Sequence, residues 1–421
     1  MLDPLPIVPF TRPARGAVPL PGSKSITNRA LILAALSERT VTLHQALFSQ
    51  DTRLMVEALR ALGFGVETDE PARLVRIAGR GGEIPAREAR IDVGNAGTVA
   101  RFLAALVCLR PDGVYDFSGD EAMGRRPIGA LLDALAAQGA QATARSFPFT
   151  LRTAGLPGGA VELDASESSQ LLSALLMVAP HARTPLRVRL KGPTVSRPFV
   201  EMTERMLEQF AAQPAGYAIE VDATAASYFL ALPLVAGGHV SLTGLRTVQS
   251  LQGDIGFVSV LHRAGLAVTE AGRGEEASIA TGAPRRGVTA DFNAFSDTFL
   301  TLAAIAPLLD GPTRITGIGH TRRQETDRVA GAARELRRLG QEVIEEEEAL
   351  TIVPRPLQPD IEIETYNDHR FAMSFAILGC HDLRGDGRPW LWIRHPGCCA
   401  KTFPDFFDVL ELVWKNSHLS P

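Results

Sequence analysis

The most restrictive feature of the sequence is a recurring pattern: a helix-period segment ends in glycine, and two strand-like pieces follow. It runs through Val56–Gly63, Val66–Thr68 and Leu74–Ile77, then through Leu131–Gly139, Gln141–Ala144 and Phe149–Arg152. It returns in Val258–Gly265, Leu266–Glu270 and Ala277–Ala280, and in Glu335–Gly340, Glu342–Ile344 and Leu350–Val353. The closing glycines Gly63 and Gly139 are 76 residues apart (139 − 63), and Gly265 and Gly340 are 75 apart (340 − 265). Each glycine suits the left-handed position that ends a helix, and each pair of strand pieces alternates apolar and polar residues as a hairpin does. The interval from Gly139 to Gly265 leaves room for one shorter copy, for which Glu201–Phe210 and Tyr217–Val221 are a degenerate candidate. Phe406–Trp414 would be the helix of a sixth. The spacing predicts two halves, each of three α/β units.

Composition agrees with packed domains. Of 421 residues, 45% are hydrophobic and 21% charged, and the net charge is −4. That balance fits a globular chain rather than a disordered one. It argues against broad contact with nucleic acid or a membrane surface. The four cysteines (Cys108, Cys380, Cys398 and Cys399) show no metal-ligand spacing, so no metal is expected. Met1–Thr11 lacks the basic and apolar regions of a secretory signal. The stretch Ala223–Leu245 is free of charge but interrupted by Pro233, Gly237 and Gly238, which argues against a spanning helix. The expectation is a soluble, cytoplasmic protein.

A second pattern carries the chemistry. Several helices are apolar or Ala-rich along most of their length, which predicts burial on more than one side. They are Ala30–Leu36, Val99–Leu109, Ile128–Ala137, Leu171–Ala179, Thr298–Leu309, Val329–Leu339 and Phe371–Leu378. Their starts are polar, and five of them carry six cations between them: Lys24, Arg29, Arg101, Arg126, Arg328 and Arg370. Ser, Asn and Asp at such places are ordinary caps. Cations are not, because the positive end of the helix dipole disfavours them by about 0.3–1 kcal/mol each. Their repetition predicts helix N-termini gathered on a small polyanionic ligand.

The segments at these starts are PGSKSITNRAL (residues 21–31), GNAGTVAR (94–101), RRPIGALLDAL (125–135), SSQLLSALLM (168–177), ETDR (325–328), YNDHRFAM (366–373) and KTFPDFF (401–407). In this order, from about residue 15 to about residue 410, they resemble the 5-enolpyruvylshikimate-3-phosphate (EPSP) synthases. The resemblance implies an α/β (α+β) fold of two domains, an inside-out barrel in which helices pack inside and sheets outside. Each domain would hold three βαβαββ units. One domain would take residues 1–20 and 221–421, the other residues 21–220, with the active site in the cleft between them.

The activity so implied is transfer of the enolpyruvyl group of phosphoenolpyruvate to the 5-hydroxyl of shikimate 3-phosphate, with release of phosphate. This is a step of the shikimate pathway toward chorismate and the aromatic amino acids, and the target of glyphosate. Lys24, Ser25, Arg29, Ser168, Ser169, Gln170, Ser196, Asp297 and Gln324 would face shikimate 3-phosphate. Lys24, Gly97, Arg126, Gln170, Arg328, Arg370 and Lys401 would face phosphoenolpyruvate. Asp297 would be the base toward the hydroxyl, Glu325 the proton donor to the methylene carbon, and Lys24 would assist. Taken alone, Asp297 also reads as a helix cap and Glu325 as a first-turn acid. No cofactor is implied, and similar enzymes are usually monomers.

Two positions depart from the family pattern. Gln324 stands where the family usually has Lys, with Arg322 and Arg323 as the neighbouring cations that would compensate, and His320 stands where many members have Asn. These bear on the acceptor. The competing readings are a transferase acting on UDP-N-acetylglucosamine or another cyclic alcohol, and a non-catalytic anion-binding paralogue.

Overall fold

The computed structural model describes residues 1–192, 195–271, 276–281 and 285–419. The chain divides into two compact units: Met1–Pro21 with Val221–Pro421 as the first, and Gly22–Glu220 as the second. It begins in the first unit with strands β1 (Leu5–Pro6) and β2 (Ala17–Val18).

The second unit follows. Helix α1 (Lys24–Leu36), strand β3 (Thr40–His44), helix α2 (Gln50–Ala61) and the hairpin β4 (Val66–Asp69) and β5 (Leu74–Ala78) form its opening repeat. Then come β6 (Glu88–Asp92), α3 (Gly97–Val107), β7 (Val114–Ser118), α4 (Glu121–Gly124), α5 (Gly129–Ala136), β8 (Gln141–Ala142) and β9 (Phe149–Arg152). Last are β10 (Gly159–Leu163), α6 (Ser169–Val178), β11 (Leu186–Leu190), α7 (Pro198–Ala211) and β12 (Gly216–Ala218).

The chain then completes the first unit. Helix α8 (Ala223–Ala236), β13 (His239–Thr243), α9 (Phe257–Ala264) and the hairpin β14 (Leu266–Ala271) and β15 (Glu276–Thr281) lead. Next are β16 (Thr289–Asp291), α10 (Phe299–Ile305), β17 (Thr313–Thr316), α11 (Arg328–Arg338), β18 (Glu342–Glu345) and β19 (Ala349–Val353). The end is β20 (Ile361–Ile363), α12 (His369–Gly379), β21 (Leu391–Ile393) and α13 (Phe406–His418).

One topology recurs. In β6-β7-β9-β8 the first pair is parallel and the rest antiparallel, and β16-β17-β19-β18 repeats it. The sheets β12-β3-β5-β4 and β14-β15-β13-β2 follow the same rule, with an edge strand brought from the far end of the unit's own chain. Two smaller sheets, β10-β11 and β1-β21-β20, complete the sets. The third repeat of the second unit therefore has no hairpin of its own. Of the expected Tyr217–Val221 strand only Tyr217 and Ala218 lie in β12, which pairs in parallel with β3. Among the described residues no strand joins one sheet to another, and no single sheet closes into a barrel.

The repeat glycines do what their spacing requires. Gly63, Gly139, Gly265 and Gly340 have φ of +86°, +97°, +110° and +85°. At three of them the next residue donates back to the last full turn: Phe64 to Leu59, Ala140 to Leu135 and Gln341 to Leu336, at 3.0, 3.1 and 3.0 Å. This satisfies carbonyls that a helix end would otherwise leave bare.

Burial sorts the helices. α3, α10 and α12 are buried along their whole length, and α1, α6 and α8 nearly so. In the first unit α8, α10 and α12 pack on one another, and in the second α3 packs on both α1 and α6, while strands such as β3 and β13 alternate buried and exposed residues. An apolar-all-round helix has no face to show water, so it occupies the centre and the sheets cover it. Two helices differ from expectation. α5 and α11 keep exposed faces with Asp133, Arg337 and Arg338, and α8 takes a central place instead. Among the described residues no helix is long and apolar enough to cross a membrane.

Candidate active site

In the second unit the polar groups gather at the starts of α1, α3 and α6. Ser23 caps α1, its hydroxyl accepting from the Ile26 amide. Lys24, the first helical residue, places Nζ 3.1 Å from Asp51 Oδ2 in the first turn of α2. Asn28 donates to Thr98 Oγ1 at 2.7 Å, tying α1 to α3. α3 begins at Gly97, where a Cβ would stand 2.5 Å from both Arg101 Nη1 and Arg126 Nη2. Two guanidinium groups thus meet a helix start at the one residue type that lets them approach. Arg126 also donates to the Asn95 carbonyl and amide oxygens at 3.0 and 3.2 Å. Arg101 reaches Gln170 Oε1 at 3.4 Å, at the start of α6. Ser168 caps α6 through the Gln170 amide, Ser169 is buried behind it, and Ser196 is held in the left-handed region at φ +51°.

Arg29 lies deeper. It is 1% exposed and donates to Thr203 Oγ1, Ser173 Oγ and the carbonyls of Ser25 and Phe199. Phe102 and Phe199 lie 5.2 and 5.9 Å from its guanidinium carbon. No carboxylate offsets it within ion-pair reach among the described residues, and burial pushes its pKa down to about 9. A buried cation balanced only by dipoles favours any anion that comes near.

In the first unit the groups form one ion-pair network centred on Arg328, the first residue of α11. Its Nε donates to Asp368 Oδ2 at 2.7 Å and its Nη2 to Glu325 Oε2 at 2.8 Å. Its Nη1 donates to Asp297 Oδ1 at 3.2 Å and to the Gln324 side-chain oxygen. Arg370, in the first turn of α12, holds Asp297 Oδ2 at 2.6 Å. Lys401 holds Glu325 Oε1 at 3.3 Å. Arg328 and Asp368 are buried, and Asp297, with 21% of its side chain exposed, is the most open of the network. Burial alone would lower the Arg328 pKa; the carboxylates of Asp368, Glu325 and Asp297 outweigh it and raise it. Arg370 is likewise raised against the burial effect, chiefly by Asp297.

The local structure separates function from capping. Asp297 lies in the 3-10 turn Asn293–Thr298 and spends both oxygens on arginines, so it is not the cap of α10. α11 is capped by Asp327, whose oxygen accepts from the Ala330 amide, which leaves Glu325 outside the helix. Asp368 caps α12 and pairs with Arg328 through the same carboxylate.

Near Gln324, Arg322 is paired with Asp327 at 2.9 Å and Glu345 at 3.2 Å, and Arg323 is exposed. His320 bonds Ser296 at 2.9 Å and is held below the ordinary histidine value by burial. His369 is fully buried with Nδ1 3.6 Å from Asp368 Oδ1. Cys399 is buried in the 3-10 turn Pro396–Lys401, its thiol pushed up by burial. Among the described residues no group of His, Cys, Asp or Glu is placed to hold a metal ion.

Three acids have partners that sequence reasoning missed: Asp51 under Lys24, Asp368 under Arg328, and Asp254 near Asp297 and Arg370. Each reads locally as a turn or first-turn acid. Only the cation it meets, far along the chain, sets it apart.

The architecture is that of solved enolpyruvyl transferases. The chain is similar to the EPSP synthase from Acinetobacter baumannii, with a TM-score of 0.77 and 23% identity over 98% of each chain. It is also similar to the enolpyruvyl transferase NikO from Streptomyces tendae, with a TM-score of 0.71, 18% identity and coverage of 98% of this chain and 97% of that one. The model of the family described as EPSP synthase (3-phosphoshikimate 1-carboxyvinyltransferase) matches residues 10–410. A 3-phosphoshikimate 1-carboxyvinyltransferase from Opitutus terrae is 54% identical over 99% of this chain and 98% of its own length. One from Nostoc punctiforme is 39% identical over 97% and 100%. The chain belongs to the EPSP synthase family.

Proposed function

We propose that this protein transfers the enolpyruvyl group of phosphoenolpyruvate to the 5-hydroxyl of shikimate 3-phosphate and releases phosphate. The observation that carries this reading is the network in which Arg328, Arg370 and Lys401 hold Asp297 and Glu325. It pairs fixed anion-binding groups with two carboxylates that share Arg328 and differ in their second cation, Arg370 for Asp297 and Lys401 for Glu325.

In this reading phosphoenolpyruvate brings a carboxylate and a phosphate to cations that Asp297 and Glu325 occupy without it. Arg328 and Arg370 offer forked donors to either anion, and Lys24 and Lys401 offer point charges. Arg126, with the start of α3 at Gly97, adds a second anion-binding place. As the donor draws these cations toward itself, each carboxylate loses part of the charge that stabilises its ionised form. Asp297 takes the proton of the 5-hydroxyl while that oxygen adds to C2, and Glu325 gives a proton to C3. The tetrahedral adduct then loses the C3 proton and its C–O bond to phosphate, restoring the double bond. Ser25, Arg29, Ser168, Ser169, Gln170, Ser196 and Gln324 hold the acceptor. The reading takes the protein to be a cytoplasmic monomer that binds no nucleic acid.

The test follows phosphate release from both substrates and identifies the product by mass. An enolpyruvyl ether is expected, with turnover falling by about 10²–10⁴-fold in Asp297→Ala and in Glu325→Ala. Undiminished turnover in either variant removes that residue from its role. Gln324 favours one second reading, in which the acceptor is another cyclic alcohol, because a neutral amide replaces a cation. Binding of phosphoenolpyruvate without turnover of shikimate 3-phosphate would select it.

A further inference from the structure

We propose that Asp254 is a positioning residue for Asp297: a carboxyl kept in its protonated form, so that Asp297 faces its substrate with Arg328 and Arg370 beside it and no second anion behind it. The inference rests on Asp297 acting as the base.

The geometry begins with a buried clamp. Gln252 accepts from the Ala223 amide at 2.9 Å and donates to the Val221 carbonyl at 2.7 Å, fastening the turn Gly253–Gly256 to the start of α8. The same turn lies against the turn that carries Asp297, since a Cβ on Gly256 would come within 3.0 Å of the Phe295 ring. Asp254 is therefore fixed and 3% exposed. The groups that bear on it are Asp297 from the neighbouring turn, Arg370 from α12, Asp222 at the cap of α8 and the Thr224 hydroxyl in its first turn. Asp222 is committed to the Ala225 amide at 2.8 Å.

Charge balance decides the form. Arg328, Arg370 and Lys401 are already matched by Asp297, Glu325 and Asp368. An ionised Asp254 would be an excess buried anion, with Asp222 and Asp297 as like-charged neighbours. One of its oxygens, Oδ1, is buried without a hydrogen-bond partner among the described residues, a place a carboxylate tolerates poorly. Burial, then Asp297, raise its pKa to about 8, against the opposing pull of Arg370. The two acids thus have different surroundings: Asp297 accepts from two arginines, while Asp254 Oδ1 has no hydrogen-bond partner among the described residues.

The sign of the stability effect follows. With its pKa raised from 3.8 to about 8, Asp254 contributes stability that is complete below pH 3.8 and is lost as pH rises through 8. Asp254→Asn, which imitates the neutral acid, has no such loss. Its melting temperature should therefore pull ahead of the wild type's progressively between pH 5 and pH 8 and then level off.

The deciding experiment measures kcat, KM for phosphoenolpyruvate and melting temperature from pH 5 to pH 9 for wild type and Asp254→Asn. Above about pH 8 the wild-type KM should climb several-fold as a new negative charge meets an anionic donor, while the Asn variant stays flat. At pH 7 its kcat should stay within about threefold of wild type. A melting-temperature difference that ignores pH, or a tenfold loss of kcat at pH 7 with an unchanged profile, overturns the proposal. If the variant does not fold, infrared spectra of wild type with isotope-labelled aspartate decide. A protonated-carboxyl band that fades through about pH 8 supports the proposal, and its absence at pH 6 overturns it. Full activity in Asp297→Ala would instead remove the base assignment and leave the melting result standing.

Discussion

Arg328 uses all three of its nitrogens on acids: Nε on Asp368, Nη1 on Asp297 and Nη2 on Glu325. A lysine has one point of charge and cannot fork, and a methionine has none. Arg328→Met leaves buried carboxylates short of a cation, which costs roughly 3–5 kcal/mol of stability. Arg328→Lys should lie between that and wild type in urea unfolding, and in both variants KM for phosphoenolpyruvate should rise. Stability and KM unchanged in the methionine variant would show that the network does not depend on its central cation. The cations were legible in the sequence because a helix start is a costly place for them. Their acids were not: Asp368 lies 40 residues from Arg328, and Asp297 lies 73 from Arg370. An aspartate before a helix reads as a cap, and Asp368 is a cap; its second task leaves no local mark.

At the level of elements, the repeat is written in positions where only one residue type is comfortable. Gly139 ends α5 at φ +97°, and a Cβ there would meet Ala154 Cβ at 3.2 Å. Gly139→Ala should cost about 1–2 kcal/mol in urea unfolding, the penalty of a left-handed L-residue, and leave both KM values unchanged. A smaller cost would mean that the turn reshapes. The central helices were legible because each lacks a charged face, and the hairpins because they alternate. The third repeat was legible as a shorter copy, but the pairing of its last strand was not. β12 finds its partner in β3, with Tyr217 opposite Leu43, and no local pattern announces a pairing that closes so long a loop. α8 was passed over for a related reason: its polar start is the single cap Asp222, with no cation to draw attention.

At the level of the whole molecule, the first unit is built from both ends of the chain. β1 lies against β21, with Leu5 opposite Ile393, and β2 lies against β13, with Val18 opposite Leu242. A chain shortened to residues 22–421 would bare one edge on each of these sheets, and bare edges recruit other strands. We expect that protein to aggregate, with light scattering as the measure, and a synthetic peptide of residues 1–21 to restore part of its solubility. A clear, active solution of the shortened chain would refute this. The same arrangement fixes an order of events on the ribosome. Domains tend to fold as they emerge, and the second unit is complete once Glu220 has been made. β2 must wait for β13, made just after the second unit, and β1 must wait for β21, 388 residues on (393 − 5). Both strands are made before the second unit and placed only after it, β1 with the longer delay.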